Sequence, residues 1–114
     1  RSGYRTMAQT IDTAELVELR KHASEAAELL KQLSNPNRLM IMCSLIGAEL
    51  SVGELNAMTD LSQSALSQHL ASLRNAELVS TRREAQTIFY RLSGDQAIQI
   101  IAVLKSIYCP DLEN

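Results

Sequence analysis

Helical periodicity in this chain ends near Glu77, and strand periodicity begins directly after it. Residues 61–73 read LSQSALSQHLASL, and on a helical wheel the last three leucines fall in one narrow stripe. After Glu77 the runs LVSTRR and TIFYRL alternate and are rich in β-branched and aromatic residues. Only EAQ separates them, which predicts a β-hairpin with residues 84–86 at its tip.

Helix start and stop signals divide the preceding residues into three further helices. Residues 12–33 are predicted to form one helix, in which Asp12 and Glu15 make a capping box. The next helix is capped by Asn35, has a proline at its first position and stops at Gly47. A short helix over residues 52–58, opened by a serine, then leads by a tight turn to the leucine-striped helix, which Ser62 caps.

A last helix follows the hairpin. Ser93 and Gln96 are predicted to form its capping box, and Pro110 ends it. Its apolar residues cover much more than one stripe, which favours a second surface that covers them. We expect a homodimer interface here, shared with the first helix, and assign to it Ile98, Ile101, Leu104 and Tyr108.

The predicted order is helix, helix, helix-turn-helix, hairpin, helix. The fold class is therefore mainly α with a small β-hairpin: a homodimeric winged helix-turn-helix of five helices and a two-stranded wing. Residues 12–114 are expected to form this one DNA-binding and dimerisation domain. Residues 1–11 are expected to be a disordered N-terminal segment, and the RSGYRT that precedes Met7 to be in part foreign to the native chain.

Charge and hydropathy limit the possible partners. The 114 residues carry a net charge of −2, which counts against a generic phosphate-driven nucleic-acid binder. Residues 61–92, however, hold four arginines and two glutamates, so a basic segment lies on an acidic body. No apolar run approaches the length of a membrane span and no signal peptide is visible, so we expect a cytoplasmic protein that does not interact with membranes.

The helix of residues 61–73 is polar without charge on the side opposite its leucines. Short uncharged donors and acceptors suit the edges of DNA bases in the major groove, although a merely solvated face is the alternative. In a winged module the N-terminal part of the second helix of the pair meets the bases, and the wing tip meets phosphate or the minor groove. The predicted contacts with double-stranded DNA are Gln63, Ser64, Ser67, Gln68, Arg74, Arg82, Arg83 and Gln86.

Three stretches together resemble a known family. They are LSNPNRLMIMCSL, ELSVGEL and LSQSALSQHLASLRNAELVSTRREAQTIFYRLS, and they look like the ArsR/SmtB (arsenic repressor) family of bacterial transcriptional regulators. RREAQTIFY and the positions of the two cysteines are similar to its redox- and sulfur-responsive BigR/SqrR/HlyU branch. The resemblance implies a homodimer that binds an inverted-repeat operator and responds to a chemical signal.

Two metal sites found in other members of that family have no counterpart in this sequence. Ser51 and Gly53 stand where many metal sensors of the family carry cysteines, and neither replaces a thiolate toward soft metals. The last helix has no histidine and only Asp95 as an acidic residue, so a zinc site between paired last helices is not expected either. We expect no metal and no cofactor, and we interpret His69 as a half-buried, hydrogen-bonded structural residue.

The two cysteines gain significance from the resemblance. Taken alone, Cys43 is a small apolar residue on a core-facing side of a helix, and most such cysteines are inert. The sulfur-responsive branch has one cysteine in the second helix and one at the end of the last, positions that Cys43 and Cys109 match. The resemblance thus implies a redox-sensing dithiol, with an oxidant or reactive sulfur as the inducer.

The chain carries no nucleophile elbow, phosphate loop, Cys–His pair or carboxylate cluster, so we expect no enzyme. A DNA-binding regulator is the main hypothesis. A redox-insensitive winged-helix repressor and a winged-helix module that binds only proteins are the alternatives.

Overall fold

The computed structural model describes residues 10–112. The predicted disordered segment therefore lies outside the described residues, except for Thr10 and Ile11, which are exposed. In chain order the elements are α1 (Thr13–Lys21), α2 (Ala23–Leu33), α3 (Pro36–Ser44), β1 (Leu50–Ser51), α4 (Val52–Met58), α5 (Gln63–Asn75), β2 (Val79–Glu84), β3 (Thr87–Leu92), α6 (Gln96–Tyr108) and a final 3₁₀ turn (Pro110–Leu112).

The prediction of one helix over residues 12–33 was wrong, because the helix breaks at His22. This residue has φ −113° and ψ 14°, ends α1 and begins α2. Its imidazole Nδ1 lies 2.8 Å from a carboxylate oxygen of Glu25 in the first turn of α2. No residue of α1 is buried within the chain, so no packing of α1 against the core opposes the break.

The predicted N-terminal caps of α1, α3, α4 and α5 are confirmed. Asp12 and Glu15 form the expected capping box at the start of α1. The side chain of Asn35 accepts from two backbone N–H groups at the start of α3. Ser51 caps α4, and Ser62 caps α5 by accepting from the N–H of Ala65 at 3.1 Å. Each cap satisfies backbone donors that the first turn of a helix leaves unpaired.

The predicted capping box of the last helix was wrong. The chain turns at Gly94, where φ is +69°, and α6 begins only at Gln96, with Asp95 as an N-cap that makes no side-chain hydrogen bond. Ser93 instead continues the hairpin, because its N–H donates to the carbonyl of Leu78 at 2.9 Å. Gln96 therefore occupies the first helical position instead of the third.

The wing belongs to a three-stranded antiparallel sheet of order β1–β3–β2. Strands β2 and β3 pair along their whole length, with Glu84 opposite Thr87, so the predicted hairpin is confirmed. The short strand β1, which pairs with Tyr90 and Phe89 of β3, was not predicted. It attaches the base of the wing to the start of α4.

The hydrophobic core is assembled mainly from apolar side chains of α3, α4 and α5, with contributions from α2, the wing and α6. Its buried members are Leu33, Ile41, Met42, Leu45, Leu55, Leu66, Leu70, Leu73, Leu78, Val79, Tyr90, Ala97 and Ile101. Within residues 10–112 the fold is thus a winged helix-turn-helix with six α-helices, one more than predicted because of the break at His22. The core supports α5 from one side only, so its other side is left at the surface.

Candidate nucleic-acid interface and thiol pair

Helix α5 separates a buried apolar side from an exposed polar side. Leu66 and Leu73 are fully buried, and Leu70 is nearly so. Four predicted base-reading residues are all exposed and lie in the N-terminal half of the helix: Gln63, Ser64, Ser67 and Gln68. Within residues 10–112 none of these four side chains has a hydrogen-bond partner. Their donors and acceptors therefore remain available to a molecule that approaches this side.

The C-terminal end of α5 is fixed by a left-handed residue. Glu77 has φ +62°, and its N–H donates to the carbonyl of Arg74 at 2.9 Å. The next N–H, of Leu78, reaches back to the carbonyl of Leu73 at 3.0 Å, which completes a Schellman motif. Arg74 is exposed, and its guanidinium donates to the hydroxyl of Tyr90 at 3.4 Å. This arginine therefore lies at the wing side of α5, at the end opposite to the four base-reading residues.

The two adjacent arginines of the wing have different surroundings. Arg82 Nε donates to Glu49 at 2.8 Å, one of its Nη atoms donates to Glu84 at 3.3 Å, and the guanidinium lies 4.7 Å from the centre of the Phe89 ring. These hydrogen bonds, that of Glu49 first, raise the pKa of Arg82 above its ordinary value. Two carboxylates already compensate this charge, so the structure weakens Arg82 as a candidate for a phosphate contact.

Arg83 points to the other face of the hairpin, because successive side chains of a strand alternate between faces. It is exposed and lies opposite Ile88 in the strand register. Gln86 is exposed in the two-residue turn, next to Ala85, whose φ is +57°. Within residues 10–112, Arg83 and Gln86 are thus the members of the predicted wing contact that are exposed and whose side chains make no hydrogen bond.

Cys43 and Cys109 are free thiols, and both are half-buried. Cys43 lies on α3, Cys109 follows the last residue of α6, and these two helices pack against each other. Burial raises the pKa of the Cys43 thiol, and the charge of Lys105 acts in the opposite direction. Lys105 also lies one helical turn before Cys109, since its carbonyl accepts the Cys109 N–H at 2.8 Å. Lys105 therefore precedes Cys109 by one helical turn and lies close enough to Cys43 for its charge to act on that thiol.

The predicted dimer residues divide into two groups. Ile101 is only 3% exposed and belongs to the core of its own chain, so its assignment to a dimer surface was wrong. Ile98 and Leu104 are half-buried, whereas Tyr108 is 77% exposed. Because α6 is apolar on nearly all sides, the sequence alone does not show which side faces inward.

His69 is half-buried on α5, as predicted. Burial lowers its pKa, and the nearby charge of Arg38 on α3 lowers it further. The neutral imidazole is therefore favoured. Within residues 10–112 its ring has no hydrogen-bond partner, so the predicted hydrogen bond is not found.

Sequence reasoning missed two residues that position the candidate interface. Glu49 lies 33 residues before Arg82, and no local pattern indicates that pairing. Gln32, three residues after the partly buried Leu29 on α2, is buried and accepts a hydrogen bond from Ser72 of α5. Because Gln32 follows Leu29 by three residues, both lie on the same side of α2, and this spacing could have shown that the Gln32 side chain lies near the core.

No group of three or more metal-binding side chains occurs within the described part of the chain. No helix in that part has the length and apolar character needed to cross a bilayer.

A winged helix-turn-helix in which the second helix of the pair, α5, has a polar side without hydrogen-bond partners defines a class of DNA-binding proteins. Comparison with known proteins gives the family. The profile described as "Bacterial regulatory protein, arsR family" matches residues 35–81. The transcriptional activator HlyU of Vibrio cholerae is 52% identical over 94 residues, which are 82% of this chain and 87% of that protein. The chain therefore belongs to the ArsR family of bacterial transcriptional regulators, within its HlyU/BigR branch, and is not an enzyme.

Solved structures agree with this assignment. The crystal structure of the transcriptional repressor BigR from Xylella fastidiosa matches with 45% sequence identity and a TM-score of 0.77. The match covers 82% of this chain and 96% of the BigR chain. A more distant structure is the homodimeric winged helix-turn-helix domain of Mb0332 from Mycobacterium bovis, at 26% identity and a TM-score of 0.69. It covers 94% of both chains. The relatives include an activator and a repressor, so membership alone does not give the direction of regulation.

Proposed function

We propose that this chain binds an inverted-repeat operator as a homodimer, with α5 in the major groove, and that a bridge between Cys43 and Cys109 releases the DNA. The exposed and unpartnered polar side of α5 is the observation that carries the DNA-binding part. Its short amides and hydroxyls match the donors and acceptors of base edges. A side used only for solubility favours Glu, Lys and Arg, which are better helix formers than serine.

Homodimerisation is supported by large apolar side chains of α1, α2 and α6 that the chain leaves uncovered. Leu16 and Leu19 of α1 are about half exposed, and Leu30 of α2 is 56% exposed. On α6, Val103 and Ile107 have similar exposure. A second copy that covers these residues removes large side chains from water, which stabilises the dimer.

Dimerisation also explains how a protein with net charge −2 can select DNA. A twofold axis presents two α5 helices to successive major grooves, about 34 Å apart, and so matches an inverted repeat. Arg83 of each wing then adds a phosphate or minor-groove contact beside the base-reading side. The acidic residues near α1 and α2 lie at the other end of the sequence and need not face the DNA.

The thiol pair supports a chemical switch, since α3 carries Cys43 and packs on α6, which ends at Cys109. An oxidant such as a peroxide converts one thiol to a sulfenic acid, and the second thiol displaces water to form a disulfide. The peroxide accepts the two electrons and is itself reduced to water. A polysulfide donor accepts the same two electrons on its sulfane sulfur and can leave extra sulfur atoms in the bridge, which relaxes the short separation that a disulfide requires.

Either bridge tethers α3 to the end of α6. In the proposed dimer α6 helps to set the distance between subunits, and α3 packs against α5. A tether between them therefore changes the spacing of the two reading helices. Coupling of this kind typically changes the free energy of binding by about 1–3 kcal/mol.

One observation favours a redox-insensitive repressor as the second candidate. Burial raises the pKa of Cys43, and the thiolate is the reactive form. In that case DNA binding is unchanged by oxidant, and the two cysteines serve only packing.

Selection from a random DNA library, followed by titration of the selected duplex, tests the proposal. The reduced protein should enrich an inverted repeat and bind it with an affinity that falls as salt rises. Gln68→Ala should reduce the preference for one base at one position by about 1–3 kcal/mol. The matched control is Gln99→Ala, at an exposed position of α6, which should leave the base preference unchanged. Absence of any enriched sequence, or of any salt-dependent complex, would favour the protein-interaction module instead.

A further inference from the structure

Apart from Tyr90, whose ring lies in the hydrophobic core, Gln32 is the only buried side chain with a polar group among the described residues. It is 3% exposed. Its amide nitrogen donates to a carboxylate oxygen of Glu28 at 2.9 Å, and its amide oxygen accepts from the hydroxyl of Ser72 at 3.0 Å. The first bond stays within α2, whereas the second crosses to α5.

The backbone of the same residue is tied to α3. The Nε of Arg38 donates to the carbonyl of Gln32 at 3.1 Å, and a second guanidinium nitrogen donates to the carbonyl of Lys31 at 3.2 Å. The last turn of α2 therefore holds α3 through its carbonyls and α5 through the Gln32 side chain. Helices α2, α3 and α5 meet at this one residue.

Ser72 lies at the border of the exposed polar side of α5. It follows Gln68 by one turn, so the two side chains are neighbours on the same side of the helix. Ser72 is half-buried and bonded to Gln32, whereas Gln68 is exposed. Because a hydrogen bond is directional, this contact adds a directional constraint on the rotation of α5 about its own axis. The leucine stripe on the other side packs without such a directional constraint.

The amide of Gln32 is not explained by stability alone. Replacement of a buried hydrogen-bonded pair by apolar groups of the same shape is often nearly neutral. A fully bonded polar group inside a core does, however, specify one arrangement of its neighbours. The arrangement specified here is the angle at which α5 presents its polar side.

We propose that Gln32 is a positioning residue for base reading: its hydrogen bond to Ser72 sets the rotation of α5 and so aligns Gln68 and Ser64 with the base edges. This inference rests on the proposed reading role of α5. Gln32 does not touch DNA. It acts through Ser72, so its loss should reduce discrimination between sequences more than the affinity for DNA in general.

The experiment compares the wild type with Gln32→Met, Ser72→Ala and the double variant. Methionine keeps the length of the side chain without its hydrogen bonds, and alanine removes only one hydroxyl from a helix that tolerates it. Ser72→Thr is the matched control because it keeps the hydroxyl donor. Fluorescence anisotropy measures affinity for a duplex selected by the wild-type protein and for a scrambled duplex of the same composition, and thermal unfolding of every variant is recorded.

We expect Gln32→Met and Ser72→Ala each to lower the ratio of affinity for the selected duplex to affinity for the scrambled duplex by about two- to tenfold. This is the range for the loss of one hydrogen bond. Affinity for the scrambled duplex should not change, the double variant should lose no more than either single variant, and Ser72→Thr should keep the wild-type ratio. A purely structural role would weaken binding of both duplexes equally. If Gln32→Met does not fold, Ser72→Ala carries the test.

An unchanged ratio in Ser72→Ala would overturn the inference and leave the proposed function intact. A wild-type protein that selects no sequence from the library would overturn the proposed function itself. The two failures are therefore distinguishable.

Discussion

Glu49 accepts a hydrogen bond from the Nε of Arg82 across 33 residues of sequence, at 2.8 Å. Glu49 is part of the segment that leads into β1, so this ion pair joins the wing to the base of the helix-turn-helix. The stacking of Arg82 on Phe89 adds to the same junction. Arg83, on the opposite face of β2, has no such ties within residues 10–112. We infer that Arg82 stabilises the wing and Arg83 contacts the DNA.

Replacement of each arginine in turn should separate these two roles. Arg83→Ala should weaken binding to all DNA sequences alike and flatten the dependence of log affinity on log salt by about one unit. Arg82→Ala should lower the unfolding temperature but change the salt slope little, because Glu49 and Glu84 already neutralise its charge. Salt titration of both variants measures the difference.

The control is Glu49→Gln, which keeps the shape of the side chain and removes its charge. This variant leaves Arg82 less compensated, so the salt slope should become steeper than that of the wild type. Equal flattening by Arg82→Ala and Arg83→Ala would contradict the assignment of separate roles.

The local parts of this interface were predictable from the sequence, because they depend on spacing within one element. Ser62 as the cap of α5 and the buried leucines beneath it follow from hydrogen bonds and packing between residues three or four positions apart. The pair Glu49–Arg82 and the strand β1 depend on contacts between distant segments, and no periodicity shows them. The break at His22 was missed because the capping and apolar spacing of residues 12–33 fit one continuous helix.

The left-handed residue at the end of α5 predicts a stabilising substitution. Glu77 has φ +62°, where glycine has no steric penalty and other residues lose about 1–2 kcal/mol. Glu77→Gly should therefore raise the free energy of unfolding by about 0.5–1 kcal/mol after the larger chain entropy of unfolded glycine is subtracted. Chemical denaturation at fixed protein concentration measures the change.

Ala76→Gly is the matched control, since its φ of −83° suits any residue. At this position glycine relieves no backbone strain, so Ala76→Gly should lower the free energy of unfolding. A destabilised Glu77→Gly variant would mean that contacts of the Glu77 side chain outweigh the backbone strain.

The exposed apolar residues of α6 predict where a charge should dissociate the proposed dimer. Ile107 is 58% exposed on α6, so Ile107→Glu should give a folded monomer that has lost most of its operator affinity. Ile101→Glu should instead unfold the chain, because Ile101 is buried in its own core. Sedimentation and circular dichroism together distinguish these outcomes.

Met40→Glu serves as the control, because Met40 has a similar exposure of 59% but lies on α3, outside α1, α2 and α6. A dimer that persists in Ile107→Glu and dissociates in Met40→Glu would place the interface elsewhere. The wheel of α6 alone could not make this distinction, since Ile101 and Ile107 both belong to a helix that is apolar on most sides.

The surroundings of Cys43 predict a pH dependence for its alkylation. Burial raises the pKa of this thiol and the charge of Lys105 opposes that rise. Lys105→Gln should therefore raise the pKa further, reduce the thiolate fraction at neutral pH and shift the rate–pH profile to higher pH. Lys105→Arg keeps the charge and should keep the profile. The measurement is iodoacetamide labelling of Cys43 in a Cys109→Ser background, and an unshifted profile in Lys105→Gln would contradict the role of the lysine.

The last prediction concerns release of DNA by a bridge between the two thiols. Cys43 and Cys109 are the only cysteines of the chain, so no other bridge can form within one chain. Cys43→Ser and Cys109→Ser should both bind operator as tightly as the reduced wild type, because the proposed DNA side, from Ser62 to Arg83, is unchanged. Neither variant should release DNA after treatment with polysulfide or a mild oxidant, since a bridge needs both ends.

Mass spectrometry of the treated wild type provides the chemical half of this test. It should show the two cysteines joined within one chain, directly or through added sulfur atoms, at the same reagent concentration that releases DNA. Reduction with dithiothreitol should restore both the free thiols and operator binding, which separates bridging from irreversible oxidation. If the double serine variant still releases DNA under that treatment, the signal enters elsewhere and the half-buried thiols only fill space between α3 and α6.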